Sequence, residues 1–579
     1  MRWLGLVVAL TSACCTLSAT AQDVSRPRPN VVFILADDLG YSDPSVYRRA
    51  LDLPVEVETP RIDRLAAEGM LFLDAHQPAS VCAPARFATL TGSHPLRGRP
   101  SWGMRFPSAF DAGGRNRHRT VGELMQAAGY RTAFVGKEHL GGQGLDANGE
   151  TTADVSQLDF SRTREVSVTR GDGSRVMRTL GRPGGLIAHG FDHSYSLSDG
   201  ASGPPYVYWR DDRFAPIDPA RAPDASSIRG YGIGPLDRGN GAGRVSKLGP
   251  GDIDWDPVDA GRRLSAAAAR FIDTHLDERP ETPFLLFYAS LAVHPSSAAP
   301  IDFDGDPSRL DQPLRGTTGS DALDKLRTLD HEVGHILDAL DRRGVARDTL
   351  VFFSSDNGGL ASLPGSRSSH ASTETLTGKK GSPLEGGHRV PLIVRWGDGT
   401  PAGSRVRPGA RSHHLVSVPD WVATLHDLSG QSLPPRQAMD SASLLPLLLS
   451  PDPDSEPPVR RHHLVAQRGL GVRYDDWRSG TRAHQWHYYE GDEESAGGVR
   501  LLFDLQSDPA QANDLLAGLP RSLELGDLRH MARQRYRALL PLTVQLGNYL
   551  RAHDAPDDLP TTPRVDYARP ALRTPIPQL

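Results

Sequence analysis

Five apolar runs constrain this chain more than any other feature: "NVVFILADD" (30–38), "TAFVGKEH" (132–139), "PFLLFYASLAVH" (283–294), "TLVFFSSDNGG" (349–359) and "VPLIVRW" (390–396). Each is too short to cross a bilayer and too continuously apolar to have one wet face, so each is predicted to be a buried strand. Helical patterns lie between them. In "TPRIDRLAAEG", Thr59 stands at a capping position, Pro60 suits the first helical residue and Gly69 can end the helix. In "TVGELMQAAGY", Thr120 and Glu123 have capping-box spacing and Gly129 closes the helix. This alternation predicts an α/β fold with a doubly wound, mostly parallel sheet. Polar residues then fall at the C-terminal ends of the runs: Asp37 and Asp38, Lys137 and His139, His294, Asp356 and Asn357. Open α/β sheets bind ligands at that edge, so four strands are expected to deliver chemistry to one rim.

With 579 residues, 38% of them hydrophobic, the chain can bury one large core and a smaller second one. A net charge of -5 gives no global reason to bind nucleic acid. Residues 1–21 read as a secretory signal, with Arg2, an apolar run from Trp3 to Leu10 and the small-residue site Ala19-Thr20-Ala21. The mature protein would be periplasmic or secreted. A lipoprotein with Cys14 retained is disfavoured, because Thr11 stands where an aliphatic residue is needed. No later run is long enough for a transmembrane segment. Once Cys14 and Cys15 leave with the signal, Cys82 is the only cysteine, which excludes an internal disulfide. Residues 27–455 are expected to form the main domain, 456–553 a smaller C-terminal domain of short antiparallel strands with a helix near 525–552, and 554–579 a proline-rich tail. Residues 141–259, rich in Gly, Asp, Arg and Ser, are expected to be long loops with short elements covering the rim.

The carboxylates at 37, 38 and 356 and the amide at 357 are hard oxygen donors, suited to Ca²⁺ or Mg²⁺ rather than zinc. Arg86, Lys137, His139, His294 and Lys380 would make the same rim a holder of compact anions. Pro84 is expected to begin a short helix ending at Gly92, which puts Cys82 beside a helix N-terminus. A second motif competes for attention. "HEVGH" (331–335) has the spacing of a zinc-protease helix, but Leu326, Leu329, Val333, Ile336 and Leu340 form one apolar stripe with His331 and His335 opposite it, so the histidines are expected to face solvent.

"CAPAR" (82–86) fits the C-x-P-x-R maturation signature, and the chain resembles the type I sulfatases of the alkaline phosphatase superfamily almost end to end. The likeness is carried by "RPNVVFILADDLGYSD", "TPRIDRLAAEGMLF", "SVCAPARFATLTGSHP", "TVGELMQAAGYRTAFVGKEHLGG", "LFYASLAVH", "DTLVFFSSDNGG", "TGKKGSPLEGGHRVPLIVRW" and "LFDLQSDPAQANDL". The resemblance implies an alkaline-phosphatase-like fold and a sulfuric ester hydrolase in which a maturation enzyme converts Cys82 to Cα-formylglycine. The hydrate of that aldehyde would be the nucleophile on sulfur, and loss of a proton from its second hydroxyl would expel sulfate. Asp37, Asp38, Asp356, Asn357 and residue 82 would bind one Ca²⁺. Arg86 and Lys137 would steady the anion, His139 would take the proton, and His294 and Lys380 would bind sulfate and assist the departing alcohol. The substrate implied is a sulfated small molecule or saccharide. Two departures stand out: Ala85 replaces a common serine, and "VHPSS" replaces the frequent H-x-P. Two rivals share the sequence pattern, a phosphate or phosphonate monoester hydrolase with the same site and a silent glycan-binding homologue with an unmodified thiol.

Overall fold

The computed structural model describes residues 28–97, 118–231 and 249–517, apart from 142–143, 202, 295–298, 301, 304–313, 361–371, 373–374, 468, 479–480 and 492–499. The signal segment, the helix expected near 525–552 and the tail lie outside the described residues.

The five apolar runs form strands Asn30–Ala36, Arg131–Lys137, Phe284–Ala289, Thr349–Ser355 and Leu392–Trp396. They belong to a ten-stranded sheet, in the order 213–215, 208–210, 193–197, 131–137, 284–289, 30–36, 349–355, 392–396, 70–72 and 410–412. The 193–197, 131–137, 284–289, 30–36 and 349–355 strands run parallel, and 392–396 is antiparallel to its neighbours. Both faces are covered. On one, Ile62, Leu264, Phe271 and Leu326 from three helices pack over Val32 and Ile34; on the other, Phe87, Leu124 and Trp421 pack over Val31 and Phe33. Register drives this packing: Phe33 sits between Phe287 and Phe352, and their rings stack at 5.2 and 5.9 Å with Trp421 closing over Phe33 at 4.3 Å. Burial on both faces is why these runs read as unbroken apolar sequence.

The 141–259 segment departs from expectation. Its strands 193–197, 208–210 and 213–215 extend the main sheet, and 164–169 pairs with 175–180 as a hairpin. Much of it therefore builds the sheet's edge rather than a cover over the rim. Strands three to six residues long, several with mostly wet side chains, leave no continuous apolar run to find. The C-terminal region forms the expected antiparallel sheet from strands 462–466, 469–478, 481–491 and 500–504.

Candidate active site

The rim is knitted together by the loops that leave the strands. Asp37 N–H donates to Ala292 O (2.8 Å), Val293 N–H to Asp37 O (2.6 Å) and Asp356 N–H to Ala36 O (3.1 Å). Asp38 has φ +63°, a left-handed conformation that aspartate tolerates better than most residues. The helix that carries Cys82 begins at that residue, two positions before the expected start at Pro84, and ends where Gly92 turns left-handed at φ +66°. Cys82 is thus the first helical residue, in the field of the positive helix end, and Arg86 lies one turn further on the same side.

The side chains converge in one buried pocket. Cys82 Sγ lies 3.6 Å from Asp37 Oδ1, 3.9 Å from Asp38 Oδ1 and 3.2 Å from Lys380 Nζ. Arg86 clasps Asp356 Oδ2 through Nε (2.9 Å) and donates through Nη1 to Lys137 O (2.9 Å). Lys137 Nζ meets Asp37 Oδ2 at 2.7 Å, and Lys380 Nζ meets Asp38 Oδ1 at 2.5 Å. Asn357 Nδ2 donates to Asp38 Oδ1 (2.8 Å), and His294 Nε2 stands 3.7 Å from Asp38 Oδ2. Backbone bonds from Lys380 N to Gly359 O and from Gly381 N to Ser80 O aim Lys380 inward, while Lys379 is exposed. All the residues named from sequence therefore meet here, His139 at the margin through its own partner.

Burial is the largest influence on each group; the neighbours reverse it at Asp37, Lys137 and Lys380, and burial prevails at Asp356, Cys82, His139 and His294. Burial by itself would raise Asp37, but Lys137, His294, Arg86 and Lys380 hold it well below the usual carboxylate range. Asp356 is pushed up to about 6 by burial with Asp37 and Asp38, against the pull of Arg86 and Lys137. Burial and the three carboxylates push the Cys82 thiol far up despite Lys137, so the native sulfur stays protonated at neutral pH. Burial, Lys137 and Arg86 lower His139 to about 2, and burial lowers His294 to about 4 despite Asp37 and Asp38. Both imidazoles are neutral, whereas Lys137 and Lys380 stay charged beside their carboxylates despite burial.

A divalent cation fits this donor set. One ligand atom each from Asp37, Asp38, Cys82 and Asp356 falls within 4.8 Å of the others. Asp38 Oδ2 and Asn357 Oδ1 are buried with no hydrogen-bond partner, which is costly unless a cation meets them. Three carboxylates are matched by Arg86, Lys137 and Lys380, so a divalent ion would leave the pocket net positive and ready for an anion.

One participant had no sequence signal. Asp199, from within 141–259, places Oδ1 3.1 Å from His139 Nε2. The H-E-x-x-H pair differs from expectation in another way: His331 and His335 are partly buried, with Phe303 lying 5.2 and 4.7 Å from their rings. Neither belongs to a metal-ligating cluster among the described residues.

Residues 29–431 match the sulfatase family model. The chain is 30% identical to steryl-sulfatase of Mus musculus, covering 91% of this chain and 85% of that protein. It is 28% identical to N-acetylgalactosamine-6-O-sulfatase of Bacteroides thetaiotaomicron, covering 91% and 98%. Among solved structures, one described under the metabolism of multiple glycosaminoglycans by Bacteroides thetaiotaomicron shares the fold with a TM-score of 0.64 at 23% identity, covering 91% of this chain and 99% of that one. A family match that spans the whole central sheet and both its helical layers, with relatives aligned over nine-tenths of the chain, has one meaning: the chain belongs to the sulfatase family and is a sulfatase.

Proposed function

We propose that the protein is an exported, calcium-dependent hydrolase of carbohydrate sulfate esters that works through a Cα-formylglycine made from Cys82 by a maturation enzyme. The observation that carries this reading is the meeting of Asp37, Asp38, Asp356 and Asn357 around residue 82 in one pocket bounded by Arg86, Lys137 and Lys380. The raised thiol supports it, because an unmodified Cys82 is a poor nucleophile here. The sulfur stands where the oxygen of the modified side chain would lie. Asp37, Asp38, Asp356, Asn357 and residue 82 would hold Ca²⁺. When formed and bound, the modified side chain would supply an oxygen nucleophile and the metal would supply Lewis-acid polarisation of the sulfate oxygens.

The chain's own residues orient and move protons. Arg86 locks Asp356 to the Lys137 backbone, and Lys137 fixes Asp37. Lys380 and His294 flank Asp38, where they would bind sulfate and stabilise charge on the departing alcohol oxygen. His139 is neutral, and with Nε2–H donated to Asp199 its Nδ1 is a buried acceptor without a hydrogen-bond partner. That nitrogen would take the proton that restores the aldehyde. The carbohydrate assignment draws on the Bacteroides relative, whose name specifies N-acetylgalactosamine 6-O-sulfate hydrolysis. In this reading residues 27–455 form the catalytic domain, 456–553 the C-terminal subdomain, and 1–21 direct export.

Mass spectrometry of the peptide across residues 82–86 is expected to show a loss of about 18 Da, as CH₂SH becomes CHO. Sulfated mono- and oligosaccharides and an aryl sulfate should be turned over, EGTA should abolish turnover, and Ca²⁺ should restore it better than Mg²⁺. An intact thiol with no hydrolysis would leave a binding protein, and faster turnover of an aryl phosphate would reassign the substrate class.

A further inference from the structure

The edge of the central sheet opposite the catalytic rim carries its own concentration of charge. Lys137 ends its strand in the active site, whereas Arg131 begins the same strand six residues earlier, about 20 Å away. Arg131 and His193 line two adjoining hollows of ≈ 300 and 420 Å³, and a third of ≈ 510 Å³ meets the first at Arg210 and the second at Arg178. Eight arginines and four carboxylates line them, and no lysine does.

The carboxylates are already engaged, for the most part locally. Asp192 receives Gln126 Nε2, the Thr132 amide and hydroxyl, and Arg170. Asp211 receives the Ser194 amide (2.8 Å) and His193 Nδ1 (2.9 Å), and Asp172 receives the Ser174 amide and hydroxyl. Among the described residues, Arg131, Arg178, Arg210, Arg270 and Arg279 have no carboxylate within ion-pair distance; the fourth acid, Glu278, pairs with none of them. Arg131 Nε is buried without a hydrogen-bond partner, a donor that lacks its acceptor. Arg210 stands directly across the antiparallel pair from Arg213, a like-charge arrangement that destabilises a sheet unless an anion relieves it. The chain as a whole is net acidic, so general basicity does not explain the concentration.

The same walls offer flat rings. Arg210 lies 5.5 Å from the Tyr195 ring, and His193 stacks on Phe271 with centroids 5.9 Å apart and planes within 4°. Guanidinium forks match sulfate oxygens through paired N–H donors, and the buried rings beneath Arg210 and His193 hold those groups at the wall.

We propose that this edge is a second, non-catalytic binding surface for a sulfated polysaccharide, gripped by Arg131, Arg178, Arg210, Arg270 and Arg279. It rests on the sulfated-carbohydrate reading of the active site, which selects the polymer from among polyanions. Concave hollows favour a chain over a flat bilayer. Anchoring one stretch of polymer here would raise the effective concentration of other stretches at the rim, without a new contact to the reacting group.

The test uses the matured full-length protein and a triple variant, Arg178→Ser, Arg210→Ser and Arg270→Ser. Probes are dextran sulfate, uncharged dextran, and vesicles of equal parts phosphatidylglycerol and phosphatidylcholine. The wild type should bind dextran sulfate, more weakly as salt rises, and should not bind dextran. The triple variant should bind it about tenfold or more weakly, while kcat and KM for a small aryl sulfate stay unchanged and certify the fold. On a polymeric substrate, KM should rise and kcat should hold. Equal dextran sulfate binding by wild type and variant overturns the proposal, as does preferential binding to the vesicles. If the triple variant fails to fold, the exposed single change Arg279→Ser carries the same comparison, with a fall of about threefold expected and no fall overturning it. Loss of polymer binding in the variant of a protein that hydrolyses no sulfate ester would sink the active-site reading and leave this surface standing.

Discussion

Glu332 shows how a residue's surroundings can override its motif. It occupies the acid position of H-E-x-x-H, yet its side chain turns into the core and accepts hydrogen bonds from Tyr288 Oη (2.8 Å) and Ser290 Oγ (2.5 Å). Burial pushes it up to about 7 in spite of both donors. The ordinary value applies in the unfolded chain, so between pH 4.5 and 7 the folded state keeps a proton that the unfolded state releases. Stability contributed by this group therefore falls as pH rises through that window and levels off above it. Glu332→Gln keeps both hydrogen bonds and removes the ionisation, so it should raise Tm at pH 8 by an amount worth up to about 3 kcal/mol, with the gain vanishing near pH 4. Calorimetry at the two pH values checks this. The flanking histidines do not face open solvent as their position opposite the apolar stripe suggests, because a segment some 30 residues earlier brings Phe303 against them, and no helical periodicity foretells such a cover.

At the scale of elements, local chemistry was legible where it closes within a few residues. Thr120 and Glu123 form the expected reciprocal cap, with Glu123 N–H donating to Thr120 Oγ1 (3.2 Å) and Thr120 N–H to Glu123 Oε2 (3.0 Å). Gly129 follows at φ +83°. Thr120→Ala removes the cap and the hydroxyl bond to His189 O, and should cost about 1–2 kcal/mol, seen as a lower Tm with unchanged turnover. Thr59, expected to cap in the same way, holds the capping position without a capping bond; its hydroxyl pairs with Ser45 at 2.8 Å instead. The difference is tertiary: Ser45 and Asp63 offer better partners than the helix end.

For the molecule as a whole, the C-terminal sheet buttresses the segment that leads to Cys82. Ala466 N–H donates to Pro78 O (2.9 Å), and His463 Nε2 meets Gln77 O at 3.0 Å. Behind this seam lies a buried network of His76, His388, His463 and His487 with Asp74, Glu385, Arg389 and Arg473. His76, Glu385 and His388 have metal-ligating spacing, but Arg473 Nε already occupies Glu385 Oε1 at 2.9 Å and supplies the positive charge. Burial holds all four imidazoles below their ordinary value of 6.5. They therefore stay neutral in the fold, and their contribution to stability, intact above pH 6.5, is lost as pH falls below it. Limited proteolysis and Tm across pH 7 to 4 should show the C-terminal sheet loosening as the pH falls. Arg473→Met removes one of the two arginines that Asp74 and Glu385 share, leaving only Arg389 at 3.6 and 3.4 Å, and should cost about 3 kcal/mol, read as a large drop in Tm.

The sequence by itself determined the parallel strands, the rim they serve and most of the site, because burial on both faces and strand-end placement are written in consecutive residues. Asp37, Asp38, Asp356 and Asn357 were legible for that reason, and Arg86 as the arginine of the C-x-P-x-R run that begins at Cys82. Only the tertiary structure decided that Asp199 meets His139, that Phe303 covers the false zinc motif, that short polar strands extend the sheet and that arginines gather at its far edge. Those outcomes join positions distant in the chain through single contacts, and a single contact leaves no periodic trace in a sequence.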